Sequence, residues 1–163
     1  MLTKSLFLAA MLCVCQAHLC LISPPQRGSM MNLNTKGSSD CILLKSPCGG
    51  REMREHGIAL TAGERFAVTF QKNLDHFNAN KPGYFSISIG HGNETMHELF
   101  HTADTSAPSL SLYSTNITIP HMEGPTILQA RYVTNNDQAP AVFYQCSDVR
   151  VVPRRPPQAV IKP

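Results

Sequence analysis

The chain has 163 residues, 42% of them hydrophobic and 15% charged, with a formal net charge of +3. That suffices for one domain with a genuine core but hardly for two. The basic cluster Arg154 and Arg155 sits in a proline-rich tail, so no basic face for nucleic acid is visible, and no segment approaches the roughly 20 apolar residues that a membrane-spanning helix needs.

Residues 1–17 read as a signal peptide: Lys4 supplies a positive region, "SLFLAAMLCVC" a short apolar run, and Cys15 and Ala17 the small residues before a cut. The expected product is a secreted, extracellular protein that begins at His18. Cys13 and Cys15 leave with the leader, and the even number that stays, Cys20, Cys41, Cys48 and Cys146, implies two disulfides in an oxidising compartment. Their pairing is open, since four cysteines allow three connectivities. A zinc site made by the four is disfavoured because no C-x2-C pair occurs. Sequons at Asn93 ("NET") and Asn116 ("NIT") agree with export.

From His18 to about Gly50 the chain looks loop-like, with "SPPQRGSM", "NTKGSSD" and "SPCGG" as turn material. Strand character follows in "IALTAGERFAVTFQ", where Phe66, Val68 and Phe70 alternate, and in "YFSISIG", where Phe85, Ile87 and Ile89 do. "SLSLYSTNITI", "ILQARYV" and "AVFYQCSDVRVV" continue the pattern, separated by "PHMEGP" and "TNNDQAP". Five or more short strands without a long amphipathic helix predict an all-β antiparallel sandwich over residues 18–152, followed by a proline-rich tail, 153–163.

A chain that begins at His18 offers an α-amine and a ring Nδ1 on one residue, which together chelate a metal ion. An α-amine has an ordinary pKa of about 8, so it yields its proton near neutrality more readily than a lysine does. A second imidazole completes three nitrogens in a roughly planar T, the histidine brace, an arrangement suited to copper(II). Of the other histidines His76 is best placed, in a loop at the end of the strand around Phe70. His56, before the first of these strands, and His121, beside Pro120, read as solvated, and Met30 and Met31 as fillers of apolar gaps.

"HLCLISPPQRGSM" after a leader, "PCGG", "NLDHF" followed by "PGYFSISIG", and the closing "FYQCSDV" together resemble the secreted copper-binding proteins that look like lytic polysaccharide monooxygenases, including fungal copper-acquisition factors and their animal relatives. The similarity spans roughly His18 to Val152. It implies an immunoglobulin-like sandwich that holds one copper ion by an N-terminal histidine, a second histidine and an aspartate in place of the axial tyrosine of many oxidative enzymes. By position these are His18, His76 and Asp148, with Asp75 and Asp104 as other candidates for the carboxylate. On a strand Tyr144, Cys146 and Asp148 share one face. The resemblance further implies copper capture or transfer rather than catalysis, in a monomer whose partners are copper and a cell-surface acceptor or glycan. The alternative is a copper-dependent monooxygenase acting on chitin or another polysaccharide. A carboxylate at the metal favours copper(II) and fills space an oxidant would need, and the chain has no tryptophan for gripping sugar.

One motif competes. "HELFH" at 97–101 matches H-E-x-x-H, in which His97 and His101 would bind zinc, Glu98 would activate water and Glu123 could be a third ligand. That chemistry needs a helix, and in an otherwise β-like chain a short loop helix or a chance match is the favoured reading; His91 could join the pair in adventitious metal binding.

Overall fold

The computed structural model describes residues 18–92 and 95–154. The expected leader, the Asn93 sequon and all of the tail beyond Arg154 lie outside the described residues. The strands are β1 (His18–Ser23), β2 (Ile58–Thr61), β3 (Arg65–Leu74), β4 (Tyr84–Gly90), β5 (His97–Ala103), β6 (Ser111–Thr118), β7 (Pro125–Val133) and β8 (Val142–Val152). A 3-10 turn at Ser39–Cys41 is the only helical element among the described residues, and no helix there is long and apolar enough to cross a membrane.

Two sheets face each other in an immunoglobulin-like β-sandwich: a three-stranded sheet ordered β1-β3-β6 and a five-stranded sheet ordered β2-β8-β7-β4-β5. All pairs are antiparallel except β2 with β8, which is parallel. The predicted alternation supplies the core. Leu19, Leu21, Val68 and Phe70 from one sheet pack with Phe85, Ile87, Ile89, Leu128, Ala130 and Tyr132 from the other. An aromatic chain runs through it, with Phe70 and Tyr113 stacked at 5.2 Å and Phe85 and Tyr132 at 4.4 Å.

Two strands lie where the sequence suggests loop or chance helix. β1 is short and ends at a Pro-Pro step, yet Leu19 and Leu21 alternate into the core and β3 supplies its hydrogen-bonding partner. β5 is an edge strand whose alternation is broken by a bulge: Ile87 pairs with Phe100 but Ser88 with Glu98, so Leu99 is the extra residue. Leu99 and Phe100 both pack toward the core as a result.

The disulfides are Cys20–Cys41 and Cys48–Cys146, which settles the pairing. Both tie the long segment between β1 and β2, poor in regular structure, to a sheet. The second spans 98 positions. In the chain-entropy account, replacing Cys48 and Cys146 together by alanine lowers the unfolding free energy by about 5 kcal/mol, against about 3 kcal/mol for Cys20 and Cys41. Urea titrations of the two double variants check that order.

Candidate metal centre

β3 ends at Leu74, and the register sets His18 opposite Leu74, then Leu19 opposite Lys72. Asn73 is left without a Cα partner on β1, a local bulge of the kind that re-aims neighbouring side chains. Its amide is nonetheless fully used. The Asn73 oxygen accepts the backbone N–H groups of Gly37 at 2.8 Å and Ser38 at 3.0 Å, while its nitrogen donates to the Thr35 carbonyl at 3.1 Å and to Gln71 at 3.0 Å. Thus β1, the end of β3 and the 33–38 loop are fastened together beside His18.

His76 follows two residues after Leu74. The register therefore brings His18 and His76 to the same end of the sandwich, and both are buried, at 3% and 7% exposure. The His76 carbonyl accepts a hydrogen bond from Asn136 at 3.1 Å. Its ring Nε2 is different: it is buried and has no hydrogen-bond partner. A buried polar atom left so costs about 1–3 kcal/mol, and a metal ion is a partner that would remove the cost. This orphaned nitrogen is the observation by which the residues present fit a copper ion.

Below His76 lies a buried polar network. The Lys72 ammonium donates to Asp104 at 2.7 Å and to the Thr105 carbonyl at 2.7 Å, and pairs with Asp75 at 2.5 Å. Tyr132 on β7 donates to the other Asp104 oxygen at 2.6 Å. Gly83 lets this corner close: a Cβ there would meet the Val133 carbonyl oxygen at 2.1 Å, and the Gly83 carbonyl accepts the Asp104 N–H. Burial, then the hydrogen bond to Asp104 and that carboxylate's charge, raise the Tyr132 hydroxyl far above the usual phenol range, with only partial relief from a hydrogen bond to the His76 backbone. Tyr132 stays a neutral phenol and is no phenolate ligand.

Asp148 is not at this end. Tyr144, Cys146 and Asp148 do share one face, as expected, but the pairing of Cys146 with Gln129 and Asp148 with Ile127 sets them on the outer side of the five-stranded sheet. There the Cys48 disulfide, Ile127 and Cys146 form a small second core. The Asp148 carboxylate is taken up by the Arg27 guanidinium at 3.0 and 3.1 Å from Nε and 2.5 Å from Nη2, and by the Arg54 N–H at 3.0 Å. Along β8 Asp148 lies five residues, about 17 Å at the usual strand rise, from Phe143, the partner of Tyr132. Among the described residues no group of three or more His, Cys, Asp or Glu side chains is gathered for a metal. A brace needs none, since its third donor is the main-chain amine. Of the other carboxylate candidates, Asp104 and Asp75 are at the correct end but engaged with Lys72.

The remaining sequence candidates disperse. His56 and His121 are exposed, as a solvated histidine should be. Met30 and Met31 are exposed too, and fill no gap. "HELFH" forms β5, where the bulge pairs His97 with inward-facing Ile89 but His101 with outward-facing Ser86, so the two rings leave opposite faces. His101 stacks on Tyr84 at 4.4 Å, and Glu98 lies 3.5 Å from both His101 and Arg131. Glu123 is exposed in the turn before β7. No zinc-protease geometry exists here. No sequence motif singles out Lys72, Tyr132 or Arg27; the signal for Lys72 is its place in the alternation Val68, Phe70, Lys72.

No family model matches the chain, and neither does any curated protein sequence. Solved structures do. A lytic polysaccharide monooxygenase from Jonesia denitrificans, known from neutron crystallography, is 13% identical with a TM-score of 0.54, over 83% of this chain and 100% of that one. Another, important for efficient utilization of chitin in Cellvibrio japonicus, is 16% identical with a TM-score of 0.51, over 82% and 99%. The chain thus has the fold of these monooxygenases, in agreement with the resemblance seen in its motifs.

Asp148→Asn should lower the unfolding free energy by about 3 kcal/mol, because it breaks a buried ion pair and leaves Arg27 uncompensated. It should leave metal affinity at the histidine end unchanged; denaturant titration and a copper(II) titration of the same variant read the two effects separately.

Proposed function

We propose that this chain is a secreted protein that binds one copper(II) ion at the end of the sandwich where β1 begins and β3 ends, and that it captures or transfers copper rather than oxidising a polymer. The ligands are the α-amine and imidazole of His18, freed when residues 1–17 are removed, and the imidazole of His76. The observation that carries this reading is the buried, unpartnered Nε2 of His76 next to the strand end that holds His18. When bound, copper supplies a one-electron couple and a preference for nitrogen donors near one plane. The chain's own residues supply the rest. The register of β1 against β3 sets the distance between the two histidines, Asn136 and the Lys72 network hold the 75–77 loop, and burial keeps water from the rings.

Residues 18–152 form the copper-binding domain in this reading, and a cell-surface acceptor or glycan is the further partner of a monomer. Asn116 is exposed on edge strand β6, accessible to glycosylation on export. Two observations support a role without polysaccharide oxidation: both histidines are buried, and the large exposed hydrophobics among the described residues are methionine, leucine and isoleucine, none of them aromatic. Sugar polymers are gripped by exposed aromatic rings.

A second reading, a copper-dependent polysaccharide monooxygenase, draws on the shared fold and on the position of Asp148. With that carboxylate tied to Arg27, it does not fill the space at the metal that an oxidant would use. Copper-loaded protein with reductant, peroxide and chitin separates the readings: oxidised oligosaccharides would establish the second.

Protein that starts at His18 should bind one equivalent of copper(II), and an extra methionine before His18 or His76→Ala should each weaken binding by about 3 kcal/mol, roughly a hundredfold. Calorimetric titration with a competing chelator measures this. Unchanged affinity in the methionine-extended chain would refute the brace.

A further inference from the structure

The alternation of β3 sends Val68 and Phe70 into the core, and two residues later, where another apolar side chain is due, stands Lys72. It is paired with Leu19 and is 0% exposed, like the Asp104 carboxylate that it meets. A buried ion pair is an expensive way to fill such a position, since desolvation offsets most or all of the Coulombic gain and apolar residues of similar volume often do as well or better. Stability alone does not account for it.

What the pair accomplishes is attachment. Lys72 reaches Asp75 on one side of His76 and lies 5.8 Å from the ring centroid of Phe77 on the other. Asp75 in turn accepts the Phe77 N–H at 2.9 Å, and the Asp75 N–H donates to Ser109 at 3.0 Å. Through Asp104, next to β5, and Tyr132, on β7, the same ammonium is bound to the opposite sheet. The loop that carries His76 is thereby fixed to both layers of the sandwich.

We propose that Lys72 is a positioning residue for His76: its buried ammonium, anchored on Asp104, holds Asp75 and Phe77 and so sets the aim of the imidazole between them. As a statement about copper this rests on the brace reading; as a statement about the loop it does not.

The test is the double variant Lys72→Met/Asp104→Asn, which removes both fully buried charges; Asp75, which also loses its cation, has a side chain 35% exposed and is solvated. Stability should stay near that of the natural chain, whereas copper(II) affinity falls roughly 10–100-fold, the range seen when supports of metal-binding side chains are removed. The copper(II) electron paramagnetic resonance spectrum should broaden into more than one species. In metal-free protein the amides of residues 75–78 should exchange with deuterium at least several times faster. Natural affinity, spectrum and exchange in a folded double variant would overturn the proposal. Should that variant not fold, Asp75→Asn, at a side chain 35% exposed, gives the same comparison at smaller amplitude. If the natural chain itself binds no copper(II), the functional reading fails, and the exchange rates of the metal-free proteins still decide whether Lys72 holds the loop.

Discussion

The register of β1 against β3 governs the candidate site. β1 is a six-residue edge strand, and only its pairing with β3 sets His18 against Leu74. A slip of one residue would move Leu19 and Leu21 out of the core and turn His18 to the other side. Three constraints oppose that slip: the two buried leucines, the disulfide from Cys20 to Cys41, and the bulge at Asn73 with its hydrogen bonds to the 33–38 loop. A chain terminus is ordinarily the least ordered part of a domain. In the proposed reading His18 becomes such a terminus, and the pairing of β1 with β3 supplies the order that a chelate built on a terminal residue requires.

The two ends of the sandwich solve different problems with charged groups. Around Arg27, Asp148 and Arg54, with Arg51 paired to Asp40 nearby, charged side chains fasten the long β1–β2 segment to the part of β8 that β2 does not pair, where main-chain bonds from Arg27 to Cys146 and from Tyr144 to Leu43 complete the attachment. At the opposite end Lys72, Asp104 and Tyr132 lie between the sheets, not outside them. Both networks satisfy nearly all their polar atoms, as burial demands. Among the described residues three buried side-chain atoms lack a partner, the Tyr113 hydroxyl, Gln145 Oε1 and His76 Nε2, and of these the imidazole nitrogen is the donor suited to a metal ion.

"HELFH" illustrates how a motif depends on its backbone. Histidines four apart stand together only where each residue turns by about 100°; on a regular strand they lie about 13 Å apart, and the bulge at Leu99 also divides them between faces. The surrounding sequence already argued against a helix, yet nothing local revealed the bulge. β5 became a strand because β4 offered an edge whose ladder it could complete.

Local pattern by itself determined much of this protein: the all-β class, five strand-like stretches, the first of which divides into β2 and β3, the number of disulfides, and the histidine pair His18 and His76 as the candidates worth testing. It did so because alternation, turn residues and composition act between neighbours in the chain. Tertiary structure alone decided which cysteines pair, that β1 and β5 are strands, and that Lys72 is buried between the sheets. It also decided that Asp148, on the predicted face of its strand, belongs to the wrong side of the wrong sheet for the histidines. A strand's period says which residues share a face, but which sheet that face meets, and at which end, depends on pairings between segments as far apart as Arg27 and Asp148.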